Sequence, residues 1–258
     1  MLYYVIRYRK EIVFKNLNLV FKNKSEQERI KIAKKFYKHF SDLILESIKN
    51  YSITSYQSQE RMKCINPELL DNYFNEKKTI FIMGGHYNNW ELYALSAAKQ
   101  TKYKLHAIYT PFQNKFINIK TKKSREKYGL KMLNKKKVKD FINNIGPNSQ
   151  KAIVFGFDQS PRKNQHMYWL NFLGQKTAVQ FGSEKYAKQL NAPIFFGEIQ
   201  KVKRGYYTLK YHLITEDPSK LKKGEIIKKA NALLEKIIFN KPEFWLWSHN
   251  RWKLTNYE

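Results

Sequence analysis

The sequence predicts an α/β fold: a single domain with a mainly parallel central sheet flanked by helices. Three observations predict it. Short apolar runs alternate along the chain with stretches of helical spacing, the pattern of strands joined by covering helices. The runs are apolar throughout, as in "AIVFGF" at 152–157, which fits strands buried on both faces. The chain has 258 residues, enough for one large core and short for two.

In chain order, "MLYYVIRYRKEIVFKNLNLVF" (1–21) comes first, its apolar opening broken by Arg7, Arg9, Lys10 and Glu11. It is too short to cross a membrane and lacks the small-residue cleavage site of a signal peptide. Two readings stay open: an amphipathic segment at a membrane surface, or an ordinary helix packed on the core. In 26–49, Ile30, Ala33, Phe36, Tyr37, Phe40, Leu43 and Ile44 recur at three and four, and Ser25 with Glu28 forms a capping box. A short helix opens at Asn66-Pro67. The strand candidates are "KKTIFIM" (77–83), "KLHAIYT" (104–110), "KAIVFGFD" (151–158), "APIFFGEIQKV" (192–202) and "YYTLKYHLI" (206–214), the last two joined by an Arg-Gly turn. Helical stretches between and after them cover 89–100, 114–129, 134–145, 178–191 and 221–240, while 160–176 reads as irregular. There is no repeat, low-complexity linker or domain boundary, so 1–258 reads as one domain. No stretch approaches eighteen uninterrupted apolar residues, so no transmembrane helix is expected.

Lys and Arg total 49 against 21 Asp and Glu, a formal net charge of +28. Such a field suits anionic partners: nucleic acid, anionic lipid, a phosphorylated glycolipid or an acidic carrier protein. Against a nucleic-acid-binding protein, there is no RRM-like pair of aromatic strands, no KH glycine loop and no zinc-finger spacing. Cys64 is the single cysteine, which excludes an intrachain disulfide, and no Cys or His cluster has structural-zinc spacing.

The stretch that carries chemistry is "TIFIMGGHYNNWE" (79–91). Gly84 and Gly85 permit a tight turn with close backbone approach. His86 stands at the strand exit, and "NNWE" opens a helix whose N-terminus favours anionic groups. On such a turn Glu91 can accept a hydrogen bond from one ring nitrogen, leaving the other free to take a proton. A lone His near a Glu is more often structural. Asp158 and Gln159 end a later strand, where ligands bind in sheets of this kind. They read either as organisers or ligand binders at the same cleft, or as an ordinary strand-end turn. Arg162, Lys163 and Lys176 are candidates for pairing with phosphates, as are Arg251 and Lys253, whose bland role is pairing with a core carboxylate. Trp247 and Trp252 read as packing residues. No Gly-x-Ser-x-Gly elbow is present.

"GGHYNNWE" resembles the His-x4-Asp/Glu motif of glycerolipid-type acyltransferases, in the form seen in the lipid A biosynthesis (lauroyl and myristoyl) acyltransferases. The resemblance covers nearly the whole chain. It continues in "YRKEIVFKNLNLVF", although Lys22 stands where Pro is common, in Pro111, Asn114, Arg125 and Gly129, and in "FDQSP" with "NFLGQKTAV". It ends in "PEFWLWSHNRWK", with Trp247, His249, Arg251, Trp252 and Lys253. It implies a glycerolipid-acyltransferase-like fold and transfer of a fatty acyl group from acyl carrier protein, or coenzyme A, to a lipid hydroxyl. The acceptor it implies is a lipid A precursor, as in lipopolysaccharide biosynthesis; an aminolipid, a glycosylated phospholipid or a lysophospholipid is the alternative. His86 would be the general base and Glu91 its orienting partner, with no acyl-enzyme and no cofactor. Gly84, Gly85, Asn89 and Arg125 would lie on the substrate side, with Arg125 and backbone N–H groups near the glycines as candidate oxyanion donors. The implied location is peripheral, on the cytoplasmic face of the inner membrane. Family members generally begin with a hydrophobic anchoring helix. This chain opens just inside that point, so the expectation is weaker anchoring or a lost start.

Overall fold

The structure is a computed structural model that describes residues 2–146, 148–162 and 167–254. Its centre is a seven-stranded sheet in the order β1-β9-β8-β2-β5-β3-β4. The strands are β1 (Met62–Cys64), β2 (Ile80–Gly84), β3 (Lys104–Tyr109), β4 (Lys131–Asn134), β5 (Lys151–Gly156), β8 (Ile194–Lys203) and β9 (Tyr206–Thr215). All neighbours pair parallel except β8 and β9, an antiparallel hairpin that turns at Arg204-Gly205. The α/β sequence expectation therefore holds, with this hairpin as the mixed element.

The apolar runs become two-faced strands. Ile80 and Ile82 of β2 pack into one core cluster, with Leu92, Leu95 and Phe195. Phe81 and Met83 pack into the other, with Phe36, Leu234 and Trp247. Each such side chain taken from water is worth roughly 1.5–3 kcal/mol. The first face is covered by α3 (Ser55–Arg61), α4 (Glu68–Asn75) and α5 (Trp90–Ser96). The second is covered by α1 (Lys10–Val20), α2 (Glu26–Lys49), α7 (Val138–Asn143), α8 (Gly182–Leu190) and α9 (Glu225–Asn240). The capping box of Ser25 and Glu28 opens α2. The opening segment divides: Leu2–Ile6 is a single π-helical turn with no buried residue, whereas α1 buries Val13, Asn16 and Leu17.

Local pattern missed four strands. The short edge strands β1 and β4 are only partly buried, so neither shows a continuous apolar run. The stretch read as irregular holds β6 (Met167–Phe172), which pairs with β7 (Gln175–Gln180) as a separate hairpin. Its turn uses left-handed Leu173 and Gly174. The helix expected from 178 therefore starts only at Gly182, because 178–180 is held in the hairpin ladder.

Candidate active site

The site forms where β2 and β5 end side by side. The two strands run parallel with Gly84 opposite Gly156, so the residues two positions beyond, His86 and Asp158, leave the sheet together. The His86 Nδ1–H donates to Asp158 Oδ1 at 2.6 Å, and the His86 backbone N–H donates to Oδ2 at 2.8 Å. Trp245 Nε1–H donates to the same Oδ2 at 2.8 Å. A buried carboxylate holding three such bonds fixes the ring's orientation and tautomer, and leaves the Nε2 lone pair for proton transfer. Nε2 lies 3.1 Å from the Gln159 side-chain nitrogen. The ring is 23% exposed and borders a cleft of about 850 Å³, whereas the Asp158 side chain is 2% exposed.

The electrostatics follow from this packing. Burial disfavours the charged imidazole, but Asp158 beside it, helped by the more distant Glu91, outweighs that and raises the His86 pKa above 6.5. For Asp158, burial acts against the charge. His86 and the Trp245 hydrogen bond overcome it and hold the carboxyl well below its ordinary range. Close approach also explains Gly156: a Cβ there would lie 3.3 Å from His86 Cε1.

Glu91 does not meet the ring. It sits in the first turn of α5 and pairs in two-pronged fashion with Arg125, from Nε to Oε2 at 2.8 Å and from Nη2 to Oε1 at 2.5 Å. The expected hydrogen bond between Glu91 and His86 is thus replaced by one from Asp158. The turn through left-handed Asn88 carries the start of α5 away from the imidazole, and Arg125 on α6 (Lys115–Glu126) claims both carboxylate oxygens. Asp158 is the group that sequence reasoning had only as a strand-end candidate.

Other expected residues divide clearly. Gly84, Gly85, Arg125 and Gln159 border the cleft. Asn89, expected on the substrate side, is 1% exposed. Its Oδ1 caps the Leu92 N–H at 2.8 Å, and its Nδ2 donates to Glu46 at 2.5 Å, so it builds the helix start instead. Arg251 is likewise corrected: at 1% exposure no phosphate reaches it, and its Nη1 donates to the Ala178 carbonyl at 2.8 Å. Lys176 is exposed on β7 over the Trp169 ring, away from the cleft lining. Arg162 is exposed beyond β5; burial, and secondarily Arg162, lowers the pKa of Lys135, which does border the cleft. Lys163 lies outside the described residues.

The C-terminal segment acts as a clasp that sequence reasoning read mainly as packing. The Leu246 N–H donates to the His86 carbonyl at 3.1 Å, and the Asn88 N–H to the Phe244 carbonyl at 2.9 Å. The Ser160 N–H donates to His249 Nε2 at 3.0 Å, and Ser160 Oγ donates to the Arg251 carbonyl at 2.8 Å. Burial holds His249 neutral by lowering its pKa to about 4, which keeps that nitrogen an acceptor. One segment thereby grips both the His86 turn and the Asp158 loop. Nothing local distinguishes Trp245, whose indole meets Asp158, from Trp247 and Trp252, whose indoles donate to the Pro242 carbonyl and to Thr177 Oγ1. Among the described residues, no group of three His, Cys, Asp or Glu side chains is placed to hold a metal ion.

The model of the bacterial lipid A biosynthesis acyltransferase family matches residues 1–254, and the chain belongs to that family and is an acyltransferase. A comparison with curated proteins finds no match.

Proposed function

Taking that membership as the premise, we propose that the protein moves a fatty acyl group from an acyl thioester, of acyl carrier protein or coenzyme A, to a hydroxyl of a lipid A precursor. His86 is the general base and Asp158 the group that orients it. The observation that carries this reading is the buried Asp158 carboxylate on His86 Nδ1, with the opposite ring nitrogen at a large, partly apolar cleft. Nε2 takes the proton as the acceptor oxygen attacks the thioester carbonyl carbon. The C–O bond forms and charge moves to the carbonyl oxygen. Collapse of that oxyanion breaks the C–S bond, and the imidazolium returns its proton to the departing sulfur. Gln159 yields its place on Nε2 to the acceptor hydroxyl.

The oxyanion needs donors aimed where charge develops. Arg125 supplies one: Nε and Nη2 are engaged by Glu91, and Nη1 remains for the cleft. Glu91 is then a positioning residue that holds the guanidinium. The Gly85 N–H is a second candidate. The His86 N–H is already committed to Asp158.

The cleft suits one long hydrocarbon and one anionic headgroup. Gly156, Gly84 and Gly197 lie in register across β5, β2 and β8, forming a side-chain-free row on the sheet beneath α5. A Cβ on Gly84 would meet nothing within 4 Å. Ile82, Ala94, Met132, Val154 and Ile199 wall the same arm. An acyl chain laid there gains about 0.8 kcal/mol per buried methylene. On the other side of the strand ends, Lys135 and Lys185 border the cleft and suit acceptor phosphates.

The test incubates pure protein with acyl-carrier-protein and coenzyme A thioesters and a panel of lipid acceptors, and follows product by mass spectrometry. Acylation of the lipid A precursor is the expected result. Acylation of a lysophospholipid or aminolipid alone moves the acceptor class. Turnover undiminished in His86→Ala removes the mechanism.

A further inference from the structure

The surface around the cleft mouth has a composition the catalytic account does not use. No residue of α6 is buried. Phe116 and Ile119 are 67% and 63% exposed, with Ile117 and the preceding Phe112 also half bare. Between 111 and 129 the chain carries Lys115, Lys120, Lys122, Lys123 and Lys127, with Glu126 the one acid. A second exposed apolar strip lies on α2: Ile44, Leu45 and Ile48, followed by Tyr51.

The contacts join these strips. Tyr8, at the end of the exposed opening turn, stacks on Phe40 with ring centroids 5.8 Å apart. Phe40, Ile44 and Ile48 are four residues apart and share one face of α2. Lys127, just beyond α6, donates to the Tyr51 and Ile53 carbonyls at 3.3 and 2.9 Å. Both helices are also fastened to α5, which follows the His86 turn: α2 through Glu46 and Asn89, α6 through Glu91 and Arg125. Phe112 and Arg125, at the two ends of the α6 segment, border the cleft itself.

We propose that this band, from the opening turn along α2 to α6, is the face that docks on an anionic bilayer and opens the cleft to the lipid phase. Scattered exposed apolar residues are ordinary on a protein surface. Here they share two helices with a lysine cluster beside a cleft mouth, the composition of an interfacial amphipathic surface. Lysines attract anionic headgroups, and the aromatic and aliphatic side chains enter the acyl boundary. An acidic carrier protein would need the lysines alone; bare Phe116, Ile117 and Ile119 favour the bilayer. A lipid acceptor then reaches His86 without crossing water. The inference rests on the lipid-acyltransferase reading.

The test uses the whole chain, sedimented with vesicles of phosphatidylcholine containing about one-quarter phosphatidylglycerol, or of phosphatidylcholine alone. Wild type is expected to bind the anionic vesicles preferentially. F116S/I119S and K120E/K123E are each expected to weaken that binding by about tenfold or more. Both pairs are surface changes outside the cleft, so turnover of detergent-dispersed acceptor stays unchanged. Wild-type binding by both variants, or no binding by wild type, overturns the docking face while leaving the acyltransferase reading intact. Normal vesicle binding by K120E/K123E, with lost binding of acyl carrier protein, reassigns the lysines to the carrier and overturns the proposal as stated. Vesicle binding through α6 by a protein that acylates no lipid leaves the docking face standing and removes the function.

Discussion

Two carboxylate contacts flank the start of α5, and they differ in how they are made. Glu91 lies five residues from His86 yet holds Arg125, on another helix. Asp158 lies 72 residues away and holds the imidazole. The first contact is a clamp between two helices, its side chains 20% and 25% exposed. The second joins a partly exposed ring to a buried carboxylate and is set by the register of two parallel strands. Nearness in sequence therefore misleads at a strand-to-helix turn, where the chain rotates side chains away from one another. Adjacent strand ends are brought together whatever their separation along the chain.

That contrast can be broken most sharply at the ring. His86→Ala should lower turnover by about 10²–10⁴-fold with the fold retained. The measurement is kcat, beside a thermal melt.

Asp158→Asn comes next. In the proposed mechanism His86 acts as a neutral base, so activity should rise with pH through its pKa, which Asp158 raises above the ordinary 6.5. Removing the Asp158 charge removes the main effect that opposes burial, and the acidic limb of the pH–rate profile should move to lower pH. Turnover at neutral pH should still fall by about 10²-fold or more, because the ring loses its fixed tautomer. Glu91→Gln should cost less, about tenfold, and leave the limb almost in place. If Glu91→Gln moves the limb as far as Asp158→Asn, the contrast between the two carboxylates collapses.

A smaller effect is expected behind Asp158. Trp245→Phe deletes one hydrogen bond to a charged group, worth about 1.5–3 kcal/mol, and should reduce kcat by tenfold or more while raising the acidic limb slightly, because the ionised Asp158 is then less neutralised beside the imidazolium. An unmoved pH profile with a lower melting temperature would make Trp245 a packing residue only.

Gly84→Val tests the apolar arm. The open space beside Gly84 should be filled, so preference among acyl donors should shift toward shorter chains, by about fourfold for each methylene lost. Competition between thioesters of different length measures it. Asn89→Ala should be the mildest, about 1 kcal/mol of stability from the lost cap of α5, read from a urea midpoint.

Much of this was legible in the chain. The five apolar runs became β2, β3, β5, β8 and β9: β2 is buried along almost its whole length and so reads as continuously apolar, while β9 alternates buried and less buried positions. The capping box at Ser25 and the turn at Gly205 were local chemistry and were read as such. His86 was found because a histidine after two glycines at a strand exit is unusual. The edge strands and the β6–β7 hairpin were not legible, since their state depends on partners and not on their own pattern. Asn89 and Arg251 illustrate the same limit at the site. Both are polar and sit in motif positions, yet the fold buries both and spends them on backbone contacts.

The amino-acid sequence by itself determined five of the strands, that His86 stands at the end of one of them, and that the protein is strongly basic. Tertiary structure alone decided that Asp158 and Trp245 face the imidazole, that Glu91 faces Arg125, and that three glycines line up across three strands. The physical reason is that periodicity and capping act over a few residues. Strand order and register come instead from how whole faces pack together, and no local spacing encodes them.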